Sequence, residues 1–194
     1  INLKKKLSLF IASVLMIFTM FSTMSSADEA YIASFNILRL GASEKDMVQT
    51  AKLLQGFDLV GLVEVITKEG IEELVDELNR QSPNTWDYHI SPYGVGSSKY
   101  KEYFGYVYKK DKVKFIKSEG FYKDGKSSLL REPYGATFKI GNFDFTLVLV
   151  HTIYGNNESQ RKAENFKMVD VYDYFQDKDK KENDILIAGD FNLY

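Results

Sequence analysis

Four short apolar runs along the chain each end in a polar side chain that can take part in chemistry. The runs cover residues 32–37, 59–63, 147–150 and 185–188, and each has the length and composition of a buried strand. A single polar strand end is common, because Asp and Asn favour turns. Four of them indicate a shared site at one rim of a sheet, where ligands often bind. The polar groups are Asn36, Glu64, His151, Asp190 and Asn192.

These residue types together suit one kind of chemistry. Carboxylate and amide oxygens are the ligands that hard cations such as Mg²⁺ prefer, and a histidine can transfer a proton to a reacting oxygen. Phosphodiester cleavage needs a cation to neutralise charge, an oriented water and an acid for the leaving oxygen. The set therefore predicts a metal-dependent phosphodiesterase centre. The second histidine, His89, lies in an aromatic segment and is predicted to be a surface or packing residue.

Length and charge limit the possible functions. The chain has 194 residues, enough for one sizeable domain, and its formal net charge is −2. An acidic protein has no general electrostatic affinity for nucleic acid, which usually comes from a basic surface. A polyphosphate substrate would therefore need local basic side chains, metal ions or both. The chain contains no cysteine, so its domain must be stabilised without disulfides.

The N-terminus has the three parts of a secretory signal peptide. Three lysines at 4–6 precede an apolar stretch at 7–21, and small residues at 25–27 offer a cleavage site. We therefore predict a signal peptide at 1–27 and one domain at 28–194. The alternative is an uncleaved helix that anchors the chain in a membrane.

Cleavage there would give a secreted, extracellular protein. The absence of cysteine favours bacterial secretion over passage through the endoplasmic reticulum. After cleavage we expect a monomer without stable membrane association.

The first half of the domain alternates strands and helices. Ser43, with Asp46 three residues later, is predicted to cap a helix that ends at Gly56. A second helix follows the strand at 57–65, because apolar residues recur there at helical spacing. Its buried face is predicted to contain Ile71, Leu74, Val75 and Leu78.

The second half is richer in strands. Aromatic and β-branched runs at 103–108 and 113–116 predict a hairpin with a solvated basic turn, and Gly141-Asn142 predicts a second hairpin. A helix is predicted over 157–175, with Ala163, Phe166 and Val169 among its inward residues. The runs are too continuous for a sheet with one wet face, which favours an α+β fold: a two-layer β-sandwich flanked by helices.

The strand-end motifs resemble those of the endonuclease/exonuclease/phosphatase superfamily. The matching segments are Ser34-Phe35-Asn36-Ile37, Leu62-Val63-Glu64-Val65, Leu149-Val150-His151 and Gly189-Asp190-Phe191-Asn192. Two further segments, Tyr100-Lys101-Glu102-Tyr103 and Leu130-Arg131-Glu132-Pro133, are similar to motifs of secreted pancreatic-type deoxyribonucleases. The resemblance covers residues 31–194 and implies a deoxyribonuclease-like four-layer α/β/β/α fold.

The resemblance implies roles in metal binding and catalysis. Glu64, Asn36 and Asp190 would hold Mg²⁺, with Ca²⁺ or Mn²⁺ as alternative ions, and Asp190 would also orient the attacking water. His151 would act as general acid on the leaving oxygen. Glu102 would accept the other ring hydrogen of His151 and hold the imidazolium in place.

The resemblance also implies contacts with substrate. Asn192 would donate a hydrogen bond to the phosphate in the transition state. Arg131 would clamp a backbone phosphate, and Tyr100 would pack along a sugar in the minor groove of DNA. RNA is the alternative nucleic-acid partner.

The sequence also departs from the family pattern. Basic residues are expected two positions after the first Asn and two after the metal-binding Glu, where this chain has Leu38, followed by Arg39, and Ile66. The second histidine of the family has no counterpart before Tyr194, so we expect a C-terminally truncated domain that is inactive as it stands. Two alternatives remain open: a sphingomyelinase-like phospholipase C or phosphatase, and a non-catalytic DNA-binding remnant.

Overall fold

The computed structural model describes residues 29–123, 125 and 128–193. The predicted signal peptide at 1–27 therefore lies outside the described residues. Within them, two β-sheets face each other, and helices cover the outer side of each sheet. None of the helices in the described ranges is long and apolar enough to cross a membrane.

The first sheet is built mainly from the N-terminal half of the domain. Its spatial order is β1-β2-β5-β3, with the short β4 paired to β5. The first two strands run parallel, because helix α1 connects them, and the other pairs are antiparallel. The elements are β1 (Ile32–Leu40), α1 (Met47–Leu54), β2 (Leu59–Val65), α2 (Lys68–Gln81), β3 (Trp86–Ile90), β4 (Val95–Gly96) and β5 (Lys101–Lys109).

The second sheet is built from the rest of the domain. Its order is β6-β7-β8-β9, antiparallel except for the last pair, which runs parallel. Two helices make the connection that this parallel pair requires. The elements are β6 (Val113–Phe121), β7 (Tyr134–Ile140), β8 (Phe143–His151), α3 (Glu158–Phe166), α4 (Met168–Lys178) and β9 (Ile185–Asp190).

The core divides into three apolar layers. Between the sheets, Phe104 and Tyr106 pack with Phe138, Phe145 and Leu149. Helices α1 and α2 cover the outer face of the first sheet, and α4 covers the second. Burying one such side chain contributes about 1.5–3 kcal/mol. The predicted α+β fold, a two-layer sandwich flanked by helices in the order α/β/β/α, is confirmed.

Helix α2 and the hairpin at Gly141-Asn142 form as predicted. Ile71, Leu74, Val75 and Leu78 are all buried on one face of α2. Gly141 has φ +57°, a left-handed conformation that glycine adopts without strain, and it joins the antiparallel strands β7 and β8.

The predicted hairpin around residues 109–112 is wrong. Strand β5 pairs with β2, β3 and β4, whereas β6 pairs with β7, so this turn crosses from one sheet to the other. Its lysines are not simply solvated. Lys109 Nζ lies 3.2 Å and Lys112 Nζ 2.9 Å from the carboxylate oxygens of buried Asp58. The ion triad holds the crossing turn, and no local sequence pattern reports it.

The predicted single helix at 157–175 is also wrong. The chain forms two helices separated by Lys167, and the break changes which residues face inward. Ala163, Phe166 and Val169 are exposed, whereas Arg161 and Glu164 are buried in α3. Burial of these polar residues reverses the pattern that hydrophobic periodicity predicts.

The first helix begins three residues later than predicted. Asp46, not Ser43, is its N-cap, and its carboxylate accepts the backbone N–H of Gln49 at 3.0 Å. The Ser43 hydroxyl instead donates to the carbonyls of Leu38 and Arg39 near the end of β1.

Candidate active site

The two parallel strand pairs bring the predicted site residues to one rim of the sandwich. Asn36 and Glu64 come from the carboxyl-terminal ends of β1 and β2 in the first sheet. His151 and Asp190 are paired in register at the ends of β8 and β9 in the second sheet. The site therefore forms where the two sheets meet, with each sheet supplying half of it.

Asn36 joins the two halves through its side-chain amide. Its Nδ2 donates to Glu64 Oε1 at 3.0 Å and to Asp190 Oδ2 at 3.0 Å. Its Oδ1 accepts the backbone N–H of Leu38 at 2.9 Å, which fixes the orientation of the amide. Two carboxylates from different sheets thus lie close to one donor. An amide nitrogen cannot bind a cation, so Asn36 in this arrangement orients the carboxylates.

His151 lies beside this cluster and is held from behind by Glu102. Its Nδ1 is 2.5 Å from Glu102 Oε1, and its Nε2 is 4.0 Å from Asp190 Oδ2. The Glu102 side chain is fully buried and the His151 side chain nearly so. The imidazole is therefore fixed with one nitrogen against a buried carboxylate and the other toward Asp190.

Arg131 lies on the far side of Glu102. Its Nε is 2.9 Å from Glu102 Oε1, an ion-pair distance without hydrogen-bond alignment, and its side chain is 10% exposed. Among the described residues, the buried Nη1 of Arg131 and Oε2 of Glu102 have no hydrogen-bond partner. Arg131 thus contacts the carboxylate that holds His151.

Asn192 lies in the tight turn after β9. Its backbone N–H donates to Asp190 Oδ1 at 3.0 Å, and its Nδ2 donates to the carbonyl of Thr152 at 2.9 Å. Thr152 N–H in turn donates to the carbonyl of Asp190 at 2.9 Å. These bonds fix the turn to the segment after His151.

Two site residues have strained backbones. Glu64 has φ +62° and Asn192 has φ +46°, and left-handed conformations in non-glycine residues cost on the order of 1–3 kcal/mol each. Gly189 has φ +145°, and a Cβ there would lie 1.9 Å from the carbonyl oxygen of Val150. Such strain is typical of sites where side-chain placement matters.

Tyr100 and Arg39 extend the site along the first sheet. The Tyr100 hydroxyl donates to Glu64 Oε2 at 3.4 Å, and burial together with the Glu64 charge raises the pKa of Tyr100 to about 12. A bulge places Leu38 and Arg39 at positive φ, and the guanidinium carbon of Arg39 lies 5.8 Å from the centre of the Tyr100 ring. Strand periodicity gave no signal for this placement of Arg39.

The strand-end side chains surround a single pocket of about 320 Å³. It also contains a residue that sequence reasoning missed: Tyr154, which is three positions beyond His151 and 72% exposed. Tyr154 lies in a loop, and only its closeness to His151 in the sequence could have indicated it. The lining residues are Asn36, Glu64, His151, Tyr154, Asp190 and Asn192.

Several oxygen and nitrogen atoms at this rim could hold a cation. Ligand atoms of Glu64, Glu102 and His151 all lie within 4.8 Å of one another. Glu102 is already in contact with His151 and Arg131, whereas Glu64 and Asp190 line the pocket and are joined through the Asn36 amide. Carboxylates held so close together repel each other unless a cation or donor lies between them, and hard divalent cations suit such a donor set.

The fold and the site define the class of protein. It is a four-layer α/β/β/α domain with a carboxylate, amide and histidine centre at the strand ends of its sandwich. One pocket is lined by five of the predicted site residues: Asn36, Glu64, Asp190, Asn192 and His151. The other three lie around them: Tyr100 contacts Glu64, Glu102 contacts His151, and Arg131 contacts Glu102.

Comparisons with known proteins find sequence relatives of this chain. No protein-family model matches the chain. A deoxyribonuclease of Thioalkalivibrio sp. (strain K90mix) is 28% identical over 166 residues, which are 84% of this chain and 46% of that protein. Deoxyribonuclease-1 of Bos taurus is 29% identical over 174 residues, which are 83% of this chain and 60% of that protein. The chain thus spans about half the length of these curated relatives.

A solved structure agrees on the fold. An endonuclease/exonuclease/phosphatase family protein from Leptotrichia buccalis superposes with a TM-score of 0.57 at 15% identity, over 85% of this chain and 69% of that one. Sequence relatives named deoxyribonuclease and the shared fold together support a deoxyribonuclease-like domain of the endonuclease/exonuclease/phosphatase superfamily.

Proposed function

We propose that this domain is a metal-dependent endonuclease that hydrolyses phosphodiester bonds of DNA. One observation carries the proposal: Asn36 joins carboxylates from both sheets in a pocket that is also lined by His151, whose ring contacts buried Glu102. The names of the sequence relatives favour DNA over a lipid or a phosphomonoester as substrate.

The chain's own residues have distinct roles in the proposed reaction. Glu64 and Asp190 hold the cation, most simply Mg²⁺ and otherwise Mn²⁺ or Ca²⁺, which supplies charge neutralisation at the phosphate. Asn36 keeps the two carboxylates together. Glu102 holds the ring of His151, so that the opposite nitrogen can give a proton to the leaving oxygen. Asp190 orients the attacking water.

The proposed contacts to the substrate come from four residues: Asn192, Arg131, Tyr100 and Arg39. One hydrogen of the Asn192 side-chain amide is held by the Thr152 carbonyl, and the other can donate to the phosphate as its charge increases. Arg131 contacts Glu102 through Nε, and its guanidinium, on a side chain that is 10% exposed, is the proposed donor to a backbone phosphate that enters beside Glu102. Arg39 is exposed beside Tyr100. At that position Arg39 can bind another phosphate, and Tyr100 can pack along a sugar.

Secretion is part of the same proposal and rests on the N-terminal sequence. A charged segment, an apolar segment and small residues precede the domain in the order that export requires. An exported enzyme would act on extracellular DNA. The monomeric state stays a prediction.

The experiment is nicking of supercoiled plasmid by the full gene product that carries this domain. We expect cleavage in Mg²⁺, none in EDTA, and a loss of roughly a hundredfold to ten-thousandfold in His151→Ala. His89→Phe is the matched control, because His89 packs between the sheets away from the pocket and its loss should leave nicking intact at neutral pH.

Three outcomes would overturn the proposal. They are absence of nicking by the wild-type gene product, nicking that persists in EDTA, and equal activity of the wild type and His151→Ala. Cleavage of RNA or release of phosphocholine from sphingomyelin, without cleavage of DNA, would assign a different substrate to the same centre.

A further inference from the structure

Helix α3 contains a buried carboxylate that the catalytic proposal does not use. Glu164 is 8% exposed, and its two oxygens accept backbone N–H groups from two separate loops. Oε1 accepts from Leu130 at 2.8 Å, and Oε2 accepts from Ile153 at 2.6 Å. Leu130 directly precedes Arg131, and Ile153 follows His151 by two residues. One carboxylate thus joins the loops that carry two of the proposed active-site residues.

The next residue on the helix holds a third loop. Asn165 Nδ2 donates to the carbonyl of Phe191 at 2.9 Å, and also to the carbonyl of Arg161 within the helix at 2.8 Å. Phe191 lies between Asp190 and Asn192 in the turn after β9. Glu164 and Asn165 therefore fix the loops at 128–131, 151–154 and 190–192 to one helix.

The residue types match this task. A carboxylate has acceptors only, so it can receive one N–H on each oxygen at the same time. An amide at position 164 would offer a donor to one of these N–H groups and leave that group unpaired. An amide at position 165 can donate to a carbonyl, whereas a carboxylate there would face another acceptor.

We propose that Glu164 and Asn165 are positioning residues of the active site, which hold Arg131, His151 and the Asp190–Asn192 turn in register with one another. The effect on turnover rests on the proposed nuclease function, whereas the effect on the loops does not. If these two residues only stabilise the domain, replacing them will loosen the whole domain equally. If they position the loops, replacing them will loosen these three loops first.

Hydrogen exchange tests the loops without requiring activity. We expect Glu164→Gln to speed amide exchange roughly tenfold or more at 128–131 and 151–154, while protection in β7 stays as in the wild type. Asn165→Asp should do the same at 190–192. Glu158→Gln is the matched control, because that carboxylate lies on the same helix but is 64% exposed and pairs with Lys162.

Kinetics then tests the consequence for catalysis. Glu164→Gln should lower kcat for plasmid nicking by roughly ten- to a hundredfold with little change in KM, since a misplacement of about 1 Å can cost that much. Unchanged loop exchange, exchange raised equally in β7, or an unchanged kcat despite loosened loops would each overturn the positioning role. A wild-type chain that does not nick, with exchange altered as expected, would reject the nuclease function and leave the loop contacts standing.

Discussion

A single residue, Asn36, joins the two halves of this site. Its amide donates to a carboxylate from each sheet, and its oxygen is fixed by the N–H of Leu38. The two carboxylates would repel each other at this separation without a donor or cation between them. Asn36 therefore places a donor between the two carboxylates, which lowers the repulsion between them.

Arg39 provides a test of substrate binding at the residue scale. Because it is exposed and lies over Tyr100, we expect it to neutralise one DNA phosphate. Arg39→Ala should weaken DNA binding and reduce the slope of log affinity against log salt by about one. Fluorescence anisotropy with a labelled duplex at several salt concentrations measures both.

Arg80→Ala is the control for that measurement. Arg80 is also exposed, but it lies at the end of α2 and pairs with Glu77. Equal salt slopes for the wild type and Arg39→Ala would show that Arg39 does not touch the phosphate backbone.

His89 connects the two sheets at the scale of elements. From β3 it stacks on Phe115 of β6 at 4.4 Å, and its Nε2 lies 2.8 Å from the hydroxyl of Tyr134 in β7. Tyr106 also faces the ring. Burial lowers the pKa of His89 below its ordinary value of 6.5, because the charged imidazolium is disfavoured between the sheets.

The His89 pKa makes stability depend on pH with a definite sign. As pH falls through about 6.5, the unfolded chain binds a proton that the folded chain resists, so the free energy of unfolding decreases. Full stability is therefore present above that pH and is lost below it. We expect His89→Phe, which keeps the stacking, to lose less stability than the wild type between about pH 7.5 and about pH 5.

Urea denaturation at the two pH values measures this difference. Tyr134 keeps its contact with the Ser118 hydroxyl at 2.7 Å in the variant, so no hydroxyl is left unpaired. The same acid-side loss in both proteins would mean that His89 is not the group responsible.

The turn between the sheets depends on Asp58. Burial raises the pKa of Asp58, but hydrogen bonds from the Tyr31 N–H and from Lys112 and Lys109 outweigh this effect and bring the pKa below its ordinary value. Asp58→Asn would leave two ammonium groups without their counter-charge. We expect a loss of about 3 kcal/mol in the free energy of unfolding, at the low end for buried pairs because Lys112 is partly exposed.

Denaturant unfolding at neutral pH measures that loss. Asp144→Asn is the control, because its carboxylate is 60% exposed and lies 4.0 Å from Lys139, so it should change stability by less than about 0.5 kcal/mol. Similar small effects for both variants would show that the buried triad does not hold the crossing turn.

The elements also show where sequence reasoning succeeds. Amphipathic helix α2 was predictable, because its four buried residues follow a local helical period. The crossing turn and the buried polar face of α3 were not, because Asp58 and Glu164 have their polar partners in other segments of the chain. Local pattern predicts an element well when its partner is the apolar core, and poorly when its partner is a distant polar group.

At the scale of the whole molecule, the active site depends on how the sheets pack. Gly61 lies against Leu149 across the core, where a Cβ would come within 2.3 Å of a leucine methyl group. Close packing at this point brings the ends of β1 and β2 to those of β8 and β9. The convergence of strand ends was predictable from sequence, since parallel pairs share a rim. The contacts of Arg39, Tyr154 and Glu164 were not predictable. A bulge places Arg39, a loop places Tyr154, and the partners of Glu164 lie in two loops.

The proposed function requires that Glu64 and Asp190, from different sheets, hold a single cation. Titration with Mn²⁺, followed by water-proton relaxation, tests this without requiring turnover. We expect about one bound Mn²⁺ per chain, with affinity lowered roughly tenfold or more in both Glu64→Gln and Asp190→Asn. Glu73→Gln, which changes an exposed carboxylate on α2, should bind as the wild type does. Unaltered Mn²⁺ affinity in the two site variants would show that these carboxylates do not hold the ion.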